Sequence, residues 1–167
     1  MACIRKETPI RIRYMELELA KQSAEGNIDS AKDFLSLWRK RSSTESFGEL
    51  DTMGYLLGAY DFLGRAVTDL QDDRFADWRA SIEKVMHDLL PAIQDQVRAS
   101  ITQFNEERKE LLESRETREK RFVTARRSVE ILESYIAGND WDSFPPDCRT
   151  RFFQSIEAWK AVRDTLA

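Results

Sequence analysis

The stretch from Gly54 to Gly64, GYLLGAYDFLG, places three of the chain's six glycines in an otherwise apolar run that carries one acid, Asp61. It lacks the glycine and lysine spacing of phosphate-binding loops, and no predicted strand precedes it. The apolar run is also far too short to span a bilayer before Asp61 interrupts it. We therefore interpret this stretch as part of a packed helix.

Helical periodicity predicts that this helix lies at the centre of a bundle. At 100° per residue, the apolar side chains of 55–70 cover one broad face, and Gly54 and Gly58 lie opposite. The two glycines leave a notch for close packing, and we expect this chain's own first or last helix there rather than another molecule. Asp61 and Arg65 are four residues apart, which favours a structural ion pair over a buried catalytic acid.

The rest of the chain has the pattern of an all-α protein. Proline occurs at only four positions, and Val, Ile and Thr do not form several alternating runs. We predict a helical bundle of about six helices within a single helical domain, 1–167. The residues Glu25–Asn27, with sequence EGN, are predicted to end the first helix. The predicted helices cover about 9–24, 28–41, 47–70, 74–90, 92–137 and 147–166, and Pro91 is predicted either to end or to kink the fourth of them.

The long predicted helix, about 92–137, contains no glycine or proline. Its apolar residues recur at alternating spacings of three and four, as in a coiled coil, while Arg108, Arg115 and Arg118 occupy in-register positions. One helix of this length would extend about 70 Å. Its charged middle, 105–121, would either project as an arm or contain a tight turn that folds the two ends into a hairpin. The lack of turn residues favours one long helix.

Composition indicates a globular protein of the cytoplasm. The hydrophobic content is 41%, the charged content is 34% and the net charge is −4, which is too mild to indicate a nucleic-acid binder by itself. The N-terminal stretch has no apolar segment of signal length, so we expect no export and no membrane partner. Cys3 and Cys148 are not in a CxxC pair and predict neither a disulfide framework nor a zinc site.

Few side chains suggest catalysis or metal binding. His87 is the only histidine, and although Glu83 shares its helix face, a carboxylate-bridged metal bundle needs more histidine ligands. We therefore predict no catalytic residues, no metal and no cofactor. A bundle enzyme or a metal site around Asp61 or His87 is the third of our functional hypotheses.

Charge distribution carries the first two hypotheses. Residues 115–127 hold six basic residues and two acidic ones, and the next twenty residues are acidic. We expect a non-enzymatic protein–protein interaction module, as an adaptor, regulator or inhibitor, that acts through the long charged helix on another protein or on a second copy as a homodimer. The alternative is nucleic-acid binding by the basic segment. The candidate interaction residues are Arg115, Arg118, Lys120, Arg121, Arg126, Arg127, Gly54, Gly58, Asp61 and Arg65.

Overall fold

The structure is a computed structural model that describes residues 9–42 and 49–167, with side chains described for 13–41 and 52–167. Regular secondary structure in these ranges is entirely helical, which confirms the all-α prediction. Five helices are present there, rather than about six. They are α1 (Pro9–Ser42), α2 (Glu49–Asp69), α3 (Ala76–Glu113), α4 (Arg118–Ala137) and α5 (Pro146–Leu166). Short 3₁₀ turns at Asp73–Phe75 and Trp141–Ser143 precede α3 and α5.

Helix α2 packs against α1 on one side and α3 on the other. Ser23 and Asn27 of α1 donate hydrogen bonds to Asp69 at the C-terminus of α2. Arg41, near the end of α1, lies over the Tyr55 ring near the start of α2, so the two helices are antiparallel. Helix α5 packs against both α3 and α4. Its Trp159 ring lies edge-on to Phe104 of α3, with the ring centroids 6.2 Å apart.

Two buried clusters hold these helices together, and α2 contributes to both. Its first half joins α3, α4 and α5 in the larger cluster, while its second half joins α1 and the start of α3 in the smaller one. Burying each large apolar side chain stabilises the fold by about 1.5–3 kcal/mol. The large cluster includes Met53, Leu56, Leu57, Ile93, Val97, Phe104, Val129, Leu132, Phe152 and Trp159. The small cluster is formed by Ala24, Ala31, Leu63, Ala66, Leu70 and Ile82.

The predicted break at Glu25–Asn27 is wrong, because α1 runs through it without interruption. Asn27 Nδ2 donates to Asp69 Oδ2 over 2.9 Å, and Ser30 Oγ donates to the carbonyl oxygen of Gly26 over 3.0 Å. Ala24 and Ala31, on either side of the predicted break, are buried in the small cluster. Packing against α2 therefore outweighs the local cost of glycine in a helix, which is about 1 kcal/mol.

Helix α3 likewise continues through Pro91. The residues before and after this proline, which are predicted as two helices, therefore form one helix. Proline removes one backbone donor and crowds the preceding turn, so it usually ends or bends a helix. Here Pro91 faces solvent, while Ile82 before it and Ile93 after it are buried. Burial of both halves holds the segment in one helix.

The predicted long helix, 92–137, is also wrong, because α3 ends at Glu113 and α4 begins at Arg118. The hydroxyl oxygen of Ser114 accepts from the backbone N–H of Glu116 over 3.0 Å, and Thr117 caps α4 by accepting from the N–H of Lys120 over 3.3 Å. These hydroxyls supply the turn without glycine or proline. The structure shows the alternative prediction, in which the chain reverses within 105–121. Leu111 is buried beside this reversal.

The glycine notch of α2 is filled by aromatic side chains of this chain. A Cβ at Gly58 would lie 2.9 Å from two ring carbons of Phe34 in α1, and a Cβ at Gly54 would lie 2.9 Å from Tyr135 Oη in α4. The Phe34 ring is itself packed against Tyr55 and Phe62, at centroid distances of 5.6 and 5.3 Å. The glycines thus make room for rings rather than for another backbone. The prediction that the first or last helix lies at the notch is confirmed at Gly58 and wrong at Gly54, where the neighbour is α4.

Two glycine substitutions should therefore change stability in opposite directions. A methyl group at Gly26 would meet no atom within 4 Å, so we expect Gly26→Ala to raise the free energy of unfolding by about 0.5–1 kcal/mol through helix propensity. Gly58→Ala forces the Phe34 ring to move, and the overpacking cost of about 1–3 kcal/mol exceeds that gain. We expect a net loss of about 1 kcal/mol, measured by urea unfolding.

The double variant Phe34→Leu with Gly58→Ala tests the cause of that loss. If the ring is responsible, the cost of Gly58→Ala should shrink in the Phe34→Leu background. A Gly58→Ala variant as stable as Gly26→Ala would show that the notch is not required for packing.

Candidate functional site

Asp61 and Arg65 form the predicted ion pair, with 2.8 Å between Arg65 Nη2 and Asp61 Oδ2. Their side chains are 47% and 62% exposed, so the pair lies at the surface. The Arg65 guanidinium also lies 5.3 Å from the centroid of the Phe62 ring. Such an exposed pair contributes little to stability. Its position matters more, because both side chains line a cleft of the described structure.

This cleft, of about 610 Å³, lies where α1, α2 and α3 meet the loop after α4. Leu57, Met86 and Phe144 supply apolar surface, and the remaining lining is mostly polar. A cleft of this volume is of the size that binds small molecules. The polar lining residues are Ser23, Asn27, Tyr60, Asp61, Arg65, Thr68, Asp69, Asn139, Asp140 and Ser143.

Tyr60 is the residue of the cleft whose pKa is shifted by its surroundings. Its ring meets that of Phe144 edge-on at a centroid distance of 5.1 Å. Partial burial raises the pKa of the Tyr60 phenol above its ordinary value, and the negative charge of Asp140 adds to the effect. Both causes oppose ionisation, so Tyr60 remains a neutral hydrogen-bonding group at physiological pH.

The other carboxylates of the cleft already have partners. Asp69 accepts from Ser23 and Asn27 and thereby joins α1 to the end of α2. Asp140 accepts from the Ser143 hydroxyl over 2.8 Å and from the N–H of Asp142 over 3.3 Å, which shapes the 3₁₀ turn before α5. These contacts are structural. The lining contains carboxylates, hydroxyls and amides, but neither histidine nor cysteine.

His87 and Glu83 are both exposed on α3. In 9–42 and 49–167, no group of three or more His, Cys, Asp or Glu side chains is placed to hold a metal ion. Cys148 is a buried free thiol whose pKa is raised mainly by that burial, and Cys3 lies outside the described residues. Across the same ranges, every helix falls short of the continuous apolar length that crossing a bilayer requires.

The structure does not bring the six predicted basic residues onto one face. Arg118 donates to the carbonyl oxygens of Leu166 and Ala167, over 3.0 and 2.6 Å, and so joins the start of α4 to the end of α5. Arg126 pairs with Glu130 at 3.5 Å. Of the remaining four, Lys120 and Arg127 are exposed on α4, Arg115 is exposed in the link before it, and Arg121 is half-buried.

The first turns of α1 form a second candidate surface. Because Ser23 and Asn27 already contact the last residue of α2, residues 9–22 extend about 20 Å past the end of that helix. The link after α2 lies beside this segment. Arg13 Nη2 of α1 is 3.9 Å from Asp72 Oδ2 of the link. Three large apolar side chains in this segment are mostly exposed: Tyr14 (62%), Met15 (59%) and Leu19 (64%).

Comparisons of the chain with protein-family models, curated proteins and solved structures find no match.

The sequence predicted Asp61 and Arg65 of the cleft but neither its other residues nor the α1 surface. The cleft also depends on Tyr60 and Asp69 in α2 and on Asp140 in the loop after α4, which carry no common motif. The α1 surface had one available signal, since Met15 and Leu19 are four residues apart and lie away from the face that holds Ala24 and Ala31. A second apolar stripe on one helix indicates a surface that the chain's own core does not cover.

The ionisation of Tyr60 offers a test of the cleft. The pKa of Tyr60 is raised in the folded state. The resulting contribution to the free energy of unfolding is complete below the unfolded pKa of about 10 and is lost as the pH rises through the folded pKa. We expect Tyr60→Phe to remove the late part of the absorbance titration at 295 nm, and Asp140→Asn to shift that part to lower pH. Tyr14→Phe, which removes an exposed phenol, is the matched control. A Tyr60 component centred at the ordinary phenol pKa would contradict this geometry.

Proposed function

We propose that this chain is a non-enzymatic protein-binding module whose contact surface is the projecting start of α1. The observation that carries the proposal is the exposure of Tyr14, Met15 and Leu19 within six residues of one helix that extends past the end of α2. Clustered exposed apolar side chains of this kind mark interaction surfaces, whereas single exposed ones are ordinary. The proposed contact surface is the start of α1, rather than the charged segment 105–121 that the sequence predicts.

The shape of this surface indicates the chemistry of the partner. A helical segment whose Met15 and Leu19 side chains are exposed within the described residues is suited to lie in an apolar groove of another protein. Arg13 and Lys21 on the same turns, with Glu16 and Glu18, favour a groove with polar and charged edges of both signs. The large side chains would carry most of the binding energy, as anchor residues do in other interfaces.

Site-specific photo-cross-linking tests the proposal in cells. A photoreactive amino acid at position 15 or 19 should capture one protein, while the same group at Val123, which is exposed on α4, should not. Capture of a second copy would appear as a dimer in light scattering. The purified pair then gives the affinity, which we expect Met15→Lys with Leu19→Lys to weaken by at least about a hundredfold.

Leu112→Lys is the matched control, because Leu112 is an exposed leucine on α3. It should leave the affinity unchanged, and circular dichroism should show that both variants keep their helix content. Equal capture from positions 15, 19 and 123, or unchanged affinity after the double substitution in α1, would refute the proposal.

A further inference from the structure

The cleft between α1, α2, α3 and the loop after α4 follows one face of α2. Its lining residues Leu57, Tyr60, Gly64 and Thr68 recur at spacings of three and four, which is the period of a single helix face. The lining continues to Asp69, the last residue of α2. At 1.5 Å per residue, this face is about 18 Å long. The cleft is therefore elongated along α2, and its two ends can hold different parts of one ligand.

Asp69 lies at one end of the cleft. Its carboxylate accepts hydrogen bonds from Ser23 over 2.8 Å and from Asn27 over 2.9 Å, both in α1. These donors are neutral, so they orient the carboxylate without compensating its charge. The C-terminus of α2 adds the partial negative charge of the helix dipole at the same place. This end of the cleft therefore favours a cation.

Asp140 supplies a second carboxylate near the other end of the cleft. It lies three residues after Ala137, the last residue of α4, and its charge contributes to the raised pKa of the Tyr60 phenol. The Tyr60 ring meets the ring of Phe144 from the same loop at a centroid distance of 5.1 Å, so the loop lies against the Tyr60 end of the α2 face. The donors to Asp140, a hydroxyl and a backbone N–H, are again neutral.

The middle of the cleft is apolar. Gly64 lies four residues after Tyr60 and five before Asp69, and it presents no side chain. A Cβ at Gly64 would lie 3.7 Å from Cε of Met86 in α3, so the Met86 thioether borders the cleft at this point. Methylene groups of a ligand would leave water by packing on this surface.

The charged groups of the lining select the sign of the ligand's charge. Asp61, Asp69 and Asp140 are negative and Arg65 is positive, which leaves a net charge of −2. Arg65 is held by Asp61 at 2.8 Å and lies over the Phe62 ring, so this pair is internally balanced. The uncompensated charges are thus those of Asp69 and Asp140, one on each side of the apolar middle.

The separation of these two carboxylates determines the length of the ligand. Tyr60 and Asp69 are nine residues apart, which is about 13 Å along the axis of α2. An extended chain advances by about 3.6 Å for every three bonds, so the terminal nitrogens of spermidine, nine bonds apart, span about 11 Å. We infer that the cleft binds a linear aliphatic polyamine, with terminal ammonium groups at Asp69 and Asp140 and a methylene chain across Gly64 and Met86.

Calorimetric titration of the whole chain with spermidine, at fixed pH and ionic strength, tests the inference. We expect one spermidine to bind per chain. The diamine 1,4-diaminobutane spans only about 6 Å and cannot reach both carboxylates, so it should bind at least about tenfold more weakly. The neutral polyol glucitol, which offers hydroxyl groups but no charge, should give no binding at the same concentrations.

Asp69→Asn and Asp140→Asn should each weaken spermidine binding by about ten- to a hundredfold, because each removes a charged partner. Both variants keep an acceptor oxygen for the hydrogen bonds that hold α1 and the loop. Asp33→Asn is the matched control, since it removes the same charge from an exposed site on α1 outside the cleft, and it should leave the affinity unchanged.

Gly64→Leu provides a test that does not change charge. It places a branched side chain in the apolar middle while improving helix propensity, so it should weaken spermidine binding by at least about tenfold and keep the helix content in circular dichroism. This variant decides the question even if Asp69→Asn does not fold.

Four results would overturn the inference. They are the absence of spermidine binding, an equal affinity for 1,4-diaminobutane, an equal loss of affinity in Asp33→Asn, and full affinity in Gly64→Leu. Binding of glucitol as tight as that of spermidine would also contradict it, because hydroxyl and amide groups rather than charges would then select the ligand.

Discussion

The fold depends on the burial of one face of α2. Met53, Leu56 and Leu57 belong to the large cluster, and Leu63 and Ala66 belong to the small one. A single helix therefore ties the α1 end of the molecule to the α4 and α5 end. Because apolar burial is the dominant favourable term in folding, this shared helix accounts for the interruptions that its neighbours tolerate, at Gly26 in α1 and Pro91 in α3.

The reversal between α3 and α4 depends on a smaller set of polar contacts. Ser114 and Thr117 supply the hydroxyls that pair the free backbone N–H groups of the link, and Arg118 joins α4 to the end of α5. The three arginines at the predicted in-register positions thus differ in environment. Arg118 pairs with backbone carbonyl oxygens of α5, Arg115 is exposed in the link, and Arg108 is half-buried.

The start of α1 and the cleft differ in chemistry. The start of α1 offers exposed apolar side chains, whereas the cleft is lined mostly by polar ones. The cleft contains carboxylates whose contacts hold α1 and the loop after α4 in place. The residues of the cleft are distant in sequence, such as Asn27 and Asp69, whereas those of the α1 surface lie within six positions of one helix.

The sequence by itself determined the helical class, the central position of 54–70, the Asp61–Arg65 pair and the use of the glycine notch within the chain. These features follow from 3.6-residue periodicity and from contacts four residues apart, which are local. Only the tertiary structure decided which predicted breaks persist. Packing against α2 continues α1 through Gly26, because burial outweighs a local propensity cost of about 1 kcal/mol. The start of α4 at Arg118 combines the local Thr117 cap with the hydrogen bonds of Arg118 to the end of α5. The exposed stripe of α1 depends on which faces the other helices cover.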